Sequence, residues 1–496
     1  MKKSYKITPQ TRILGLGDMG EFINKRGQVI TLMNRDEYPY YRAIPLVITG
    51  VGGDFDGYFI NSAEKLIFDL DSRGQGEWSV ERSGADELDI RHFHGSLSEI
   101  IEQYTAVTGR MKMPPDWALG FAQSRYSYQT EAEVLEVVEG FRAREIPLSA
   151  VYLDIHYMKK YRVFSWDKKR FPNPAAMIKK LDEMGVKVVA VIDPNIPARY
   201  AREIPKIAAR GNAWAGRVAY PDFEDAKTRQ WWAKQIKENL LDFGVAGIWN
   251  DMNEPADLVR KEKTAPVKHH NAYALGVARA AAESGAEFVL SRAAFAGSQR
   301  YTAIWTGDNA SSWADLAASI YMCLNLGICG ISFCGADAGG FFKDATPELY
   351  ARWMQLGSFM PFFRAHSDID SRRHEPWCFG DEVEKIAVKY IKLRYEMMDY
   401  IKEELAESCR TGLPLMRAMA LDFPHDERVW GLSHQYMFGR KYLVAPVIFP
   451  EQRVQNVYLP AGKWRNFWTN EIANSKGEFV VTPAELDTIP IYERAE

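Results

Sequence analysis

The chain has 496 residues, of which 47% are hydrophobic and 26% charged, proportions that exclude a disordered or fibrous protein and allow roughly two to four domains. Lysine and arginine total 62 against 65 acidic residues, a net charge of -3, so no global basic field recommends a nucleic acid partner. A neutral, sugar-like substrate suits that balance better than a polyanion, and the 13% aromatic content supplies rings that can stack on the flat faces of such a ligand.

Residues 1–113 read as β-rich: Gln28–Met33, Ala43–Thr49 and Gly57–Ile60 are short strand-like runs punctuated by Gly, Asn and Asp, followed by one helix, Ser96–Val107. Pro114-Pro115 cannot continue that helix and mark a boundary. Residues 114–410 then alternate strand, loop and amphipathic helix. The strand candidates are Ala118–Ala122, Ala150–Ile155, Val186–Ile192, Val245–Trp249, Glu287–Leu290, Ala303–Trp305, Gly330–Phe333 and Ser358–Phe363. Helical patterns separate most of them, among them Glu131–Arg144, Ala175–Met184, Thr228–Phe243, Asn271–Glu283, Ala314–Asn325 and Pro347–Gln355, and Val383–Glu407 follows as one long helix. Such alternation implies a parallel α/β sheet, and eight strands in this length predict a (β/α)8 TIM barrel. An open doubly wound sheet is the alternative; its phosphate loop would be expected after an early α/β strand, and the one Gly-x-Gly-x-x-Gly, Gly15 to Gly20, precedes that region. Residues 411–496 return to short strands (Tyr442–Val447, Asn456–Leu459, Phe479–Thr482), which predicts β-sandwich segments on both sides of the barrel.

The stretch Gly247-Ile248-Trp249-Asn250-Asp251-Met252-Asn253-Glu254-Pro255 places two carboxylates at the carboxyl end of a buried strand. Asn250 or Asp251 as a plain helix cap is the modest reading. Barrel enzymes take their reactive groups from such strand ends, and Asp154, Asp193, Asp308 and Asp337 occupy matching places, as do Arg292, Arg364 and His366. A ring of five acids suits glycoside hydrolysis, which needs two carboxyls flanking the scissile bond. Metal-assisted hydrolysis would need ligating spacings; the nine histidines offer no HExxH, and the single His-x-His, His92-Phe93-His94, lies in the β-rich segment. No metal and no cofactor are expected. The five cysteines form no CxxC, the amino terminus lacks the apolar run of a signal peptide, and no long uncharged segment occurs. These features predict a cytoplasmic protein with reduced thiols, away from membranes.

Four motifs in order, the stretch above, Ser291-Arg292-Ala293 to Arg300, Trp305-Thr306-Gly307-Asp308-Asn309 and Phe362-Phe363-Arg364-Ala365-His366-Ser367, resemble glycoside hydrolase family 31. The resemblance implies a retaining, exo-acting α-glucosidase that removes terminal glucose from α-glucosides or malto-oligosaccharides. In it Asp251 is the nucleophile and Asp308 the general acid/base, with the carboxyls about 5–5.5 Å apart. By the same resemblance Asp154 and Ile155 hold the far hydroxyls of the nonreducing sugar. Arg292, Trp305, Asp337, Phe341 and His366, with Trp249 as a stacking ring, wall the pocket, and Trp214 and Met252 border the leaving-group side. An α-xylosidase, an α-galactosidase, an α-transglucosylase and a noncatalytic carbohydrate-binding relative are the alternatives, and a homo-oligomer is compatible with the sandwich edges. Two positions depart from the family pattern: His156 stands where a second acid is usual, and Ala215 where the family has Pro. The chain also begins within what resembles the amino-terminal sandwich and stops before the family's outer carboxyl-terminal one, as a compact or a trimmed member would. A sulfonated sugar would want added cations near the pocket, and the sequence shows no extra basic cluster there.

Overall fold

The computed structural model describes residues 1–83 and 87–495. Residues 84–86, inside the expected amino-terminal sandwich, and Glu496, at the end of the carboxyl-terminal one, lie outside the described residues.

The centre is a parallel barrel. Its staves are β1 (Ala122–Gln123), β2 (Ala150–Leu153), β3 (Lys187–Ile192), β4 (Gly247–Asn250), β5 (Phe288–Ser291), β6 (Ala303–Trp305), β7 (Cys334–Gly335 continuing as Asp337–Ala338) and β8 (Arg364–Ala365). The seventh stave closes the ring: Cys334–Gly335 pairs with β6, and two residues later Asp337–Ala338 pairs with β8. β1 lies between β2 and β8. The staves are buried on both faces, which is why they read in sequence as plain apolar runs rather than alternating ones.

Helices α1 (Glu131–Ala143), α2 (Pro174–Glu183), α3 (Ala226–Asn239), α4 (Tyr273–Glu283), α5 (Trp313–Ile328), α6 (Pro347–Ser358) and α7 (Asp381–Glu396) follow most staves. Thr130, Asp225, Ser312 and Thr346 cap their helices through side-chain acceptors. The crossover from β5 to β6 holds no α-helix, only the short strand Ala294–Phe295 and a 3-10 turn, Ser298–Arg300. The helix Leu97–Thr108 of the preceding segment packs there instead, with Gln299 donating to the Thr108 hydroxyl and the Gly109 carbonyl.

Three expectations shift. Gly330–Phe333 and Ser358–Phe363 are not the seventh and eighth staves; those staves are two-residue segments beginning at Cys334 and Arg364, and Ser358 ends α6. The apolar runs mark buried chain entering the barrel, and the pairing begins only where they end. Likewise Ala118 and Leu119 belong to a short helix, and β1 starts at Ala122. The long helix after the barrel bends at Met397 into α7 and α8 (Met398–Thr411); the Met397 amide still bonds back to Leu393, so the chain kinks without stopping.

On the amino-terminal side, an antiparallel sheet of Lys2–Lys6, Glu77–Arg82, Leu66–Leu70 and Val29–Leu32 faces a second one of Arg12–Gly15, Leu46–Val51, Asp54–Ile60 and Ile90–Gly95. Ile13, Val47, Phe68 and Trp78 fill the space between them. On the carboxyl-terminal side, a six-stranded sheet accompanies the ribbon Val454–Leu459 with Glu478–Pro483. One continuous core joins the barrel to this last sheet and to one face of the amino-terminal segment. Among the described residues no helix is long and apolar enough to cross a membrane, and no group of His, Cys, Asp and Glu is arranged to hold a metal ion.

Candidate active site

The carboxyl end of β4 begins the site. Gly244, at φ +100°, ends the helical stretch before it, and Gly247 fits β4 between its neighbours, since a Cβ there would come within 3.1 Å of Val189 and 3.2 Å of the Phe288 carbonyl. The Asp251 amide extends the ladder by donating to the Ile192 carbonyl at 3.1 Å. Met252 then takes φ +53°, a left-handed conformation uncommon for a residue with a side chain and concentrated at functional sites. That turn aims the Met252 amide at Asp251 Oδ1, 2.8 Å away.

Arg292 follows β5, placed beside β4 by its amide bond to the Asn250 carbonyl. Its guanidinium is 2% exposed and meets four carboxylates. Nε lies 3.1 Å from Asp251 Oδ1, Nη1 3.2 Å from Asp308 Oδ2 and Nη2 3.1 Å from Asp36, while Glu254 takes a two-point contact at 2.9 Å. Asp251 and Asp308 therefore share one cation. Both Asp251 contacts fall on Oδ1, so Oδ2 has no protein partner among the described residues.

Asp308 follows β6 after Gly307, at φ +85°, where a Cβ would strike the Tyr41 ring at 2.4 Å. The same ring lies 4.8 Å under the Arg292 guanidinium. Arg42, next in sequence, is buried against Asp18 and donates to the carbonyls of Arg292, Trp305 and Thr306. The amino-terminal segment thus ties together the strand ends that carry Arg292 and Asp308.

Burial disfavours charge on Asp308, Arg292 counters it, and Asp251 and Asp36 add to it; the carboxyl is pushed up to about 7. Asp154 is held well above the usual carboxylate range, first by burial and then by the charges of Asp251 and Asp308. Burial holds the His366 imidazole well below its usual value, and its Nε2 lies 3.7 Å from Asp154 Oδ2.

These residues line a cavity of about 390 Å3, the size of a small-ligand site. Of the residues singled out in sequence, Asp154, Ile155, Trp214, Trp249, Asp251, Met252, Arg292, Asp308, Phe341 and His366 line it. His366 stacks on Phe341 with 4.9 Å between centroids and meets Trp249 edge-on. Trp305 and Asp337 are buried and are not among the residues lining that cavity. Asp337 pairs with the buried Arg364 at 2.6 Å, and that guanidinium sits 4.6 Å over Trp249 and 5.2 Å over Trp305. Asp193 is also buried away from the cavity lining. Trp214 comes from the tip of a hairpin, Ile207–Ala213 with Gly216–Pro221, inserted after β3. Sequence reasoning missed Asp36, Tyr41, Tyr126 and Phe342 in the lining; Tyr126 follows β1 as other site residues follow their strands, a signal that was legible, whereas nothing local marks Asp36.

Residues 111–404 match the model of the glycosyl hydrolases family 31 TIM-barrel domain, and 412–496 that of the family's C-terminal domain. The chain belongs to glycoside hydrolase family 31. Its relatives include alpha-glucosidase 2 of Bacillus thermoamyloliquefaciens, 38% identical over 96% of this chain and 66% of that one. The alpha-glucosidase of Saccharolobus solfataricus is 33% identical over 97% and 78%, and human neutral alpha-glucosidase AB 36% over 95% and 57%. A family 31 dextranase of Flavobacterium johnsoniae solved with glucose superposes with a TM-score of 0.92 at 31% identity, covering 99% of this chain and 66% of that one. The chain thus spans 57 to 66% of the length of the first two curated relatives it matches.

Proposed function

We propose that this family 31 chain is a retaining, exo-acting α-glucosidase that removes terminal nonreducing glucose from α-glucosides or malto-oligosaccharides. The observation that carries the reading is the single Arg292 guanidinium touching Asp251 and Asp308, with the Asp308 carboxyl pushed up to about 7. In the first step Asp251 Oδ2 attacks the anomeric carbon while protonated Asp308 gives its proton to the leaving oxygen. In the second, Asp308 as carboxylate takes a proton from water, which displaces Asp251 from the same carbon. Two inversions return the α configuration. Arg292 steadies the negative charge that each carboxylate carries in turn.

The exo mode is supported by the packing of the barrel. The buried Arg364, with Trp249 and Trp305 against it, fills the barrel beside the cavity, which suits a terminal residue better than a through-running chain. The Asp154 carboxyl and the His366 imidazole both line the cavity, where their polar atoms can hydrogen-bond sugar hydroxyls. The relatives' names carry the choice of glucose. Aryl α-glucoside, α-xyloside and α-galactoside compared side by side test it: the glucoside is the expected substrate, and faster release from either other aryl glycoside would displace the assignment.

A further inference from the structure

The fold brings two basic loops together beside the pocket. Trp214 lines the catalytic cavity on one side and a second groove, of about 540 Å3, on the other. Lys160, Arg170 and Arg199 line this groove with Asp167 as its one acid. None of the three meets a carboxylate within ion-pair distance among the described residues. Two loops supply them. Residues 159–170, after β2, hold six cations against Asp167, and residues 199–217, after β3, hold five against Glu203, in a chain whose net charge is -3.

Of these loop cations Lys206 is paired with Asp222 at 2.7 Å. Arg162 and Arg199 both sit over the Tyr200 ring, at 3.9 and 5.0 Å, and the Tyr200 phenol is drawn below its usual range by the Arg199 hydrogen bond and the Arg162 charge. Burial, and then the Arg170 charge, hold the His156 imidazole below its usual range. The catalytic cavity has the opposite character: leaving aside the raised carboxyls of Asp154 and Asp308, Asp36, Glu37, Asp251 and Asp368 line it with Lys263 and Arg292 as the cations. An anion is therefore disfavoured where the terminal sugar sits and favoured past Trp214, where the leaving group emerges.

We propose that the groove beyond Trp214 binds the leaving-group end of an anionic α-glucoside, a saccharide bearing a carboxylate or phosphate one or two units past the scissile bond. The inference rests on the glucosidase reading for the direction of the substrate, and its test does not depend on turnover. Binding to the Asp251→Asn variant is measured for maltotriose, maltotrionic acid and maltotriose 1-phosphate, and for the α-1,6-linked counterparts, at low and high salt.

Binding of the charged ligands about tenfold tighter than the neutral one at low salt is expected, the scale of two or three exposed ion pairs, with the gap closing at high salt. Preference for both anions indicates recognition of charge alone, and preference for one names the carboxylate or the phosphate. Lys160→Gln, Arg170→Gln and Arg199→Gln, each added to that variant, should erode the preference and leave maltotriose binding unchanged. Equal affinities for neutral and charged ligands, or equal losses for both in the three variants, would overturn the proposal. Release of glucose from a neutral aryl α-glucoside by the unaltered enzyme reports separately on the glucosidase reading.

Discussion

Nη1 of Arg292 lies 3.2 Å from Oδ2 of Asp308, yet that carboxyl is pushed up to about 7. Burial, helped by Asp251 and Asp36, outweighs the cation. With Asp308 as the proposed acid, the free protein holds the needed proton below about pH 7, so kcat/KM should fall as pH rises through that value. The stability consequence has the same sign. A carboxyl whose folded pKa is raised adds stability that is complete below the unfolded value of about 3.9 and is lost as pH climbs through about 7. Asp308→Asn should therefore melt higher than wild type at pH 8 and show little gain at pH 4, checked by calorimetry at both pH values.

Asp36 reaches the site from the amino-terminal segment and touches Arg292 at 3.1 Å. Its charge raises the Asp308 carboxyl. Asp36→Asn should move the basic limb of the pH profile to lower pH and reduce kcat/KM at pH 8 by about two- to fivefold, the scale of one partly screened charge pair. An unmoved limb would show that the two carboxylates are uncoupled.

Trp214 is 48% exposed at its hairpin tip, so little core packing depends on it. Trp214→Ala should leave the melting temperature within about a degree, because exposed positions rarely matter by more than ~0.5 kcal/mol. It should raise KM for tri- and tetrasaccharides several-fold and leave a small aryl glucoside nearly untouched.

Asp337 and Arg364 are both fully buried and paired at 2.6 Å. Asp337→Ala strands the guanidinium among Tyr152, Trp249 and Trp305, a loss of about 3–5 kcal/mol. Denaturant unfolding should show it, while Trp305→Phe, which keeps a ring over Arg364, should keep most of the activity.

Much of this was legible because the chemistry follows apolar runs. Asp154, Asp251 and Asp308 each come directly after a buried strand or its first turn, so the strand ends could be counted without coordinates. The two-residue staves at Cys334 and Arg364 were misplaced because hydrophobicity marks burial, and in a barrel buried chain extends well beyond the hydrogen-bonded pairs. The family resemblance puts Trp305 and Asp337 at the pocket; in the structure both are buried against Arg364 and are not among the residues lining the cavity. Asp36 and Tyr41 were invisible: Asp36 lies 256 residues from the arginine it meets, and no local pattern encodes that pairing. The basic run at 159–170 is plain in the sequence, but only the packing of the loops after β2 and β3 shows that it meets Arg199 in one groove beside Trp214.

The central claim is that Asp251 and Asp308 work as nucleophile and acid/base in a double displacement. Proton NMR of the first sugar released from an aryl α-glucoside, with wild type and Asp251→Ala in parallel, tests it most directly. α-Glucose appearing first with wild type, and a rate at least ~10^4-fold lower for Asp251→Ala, is the expected result. β-Glucose as the first product, or an Asp251→Ala enzyme that still turns over at a comparable rate, would contradict it.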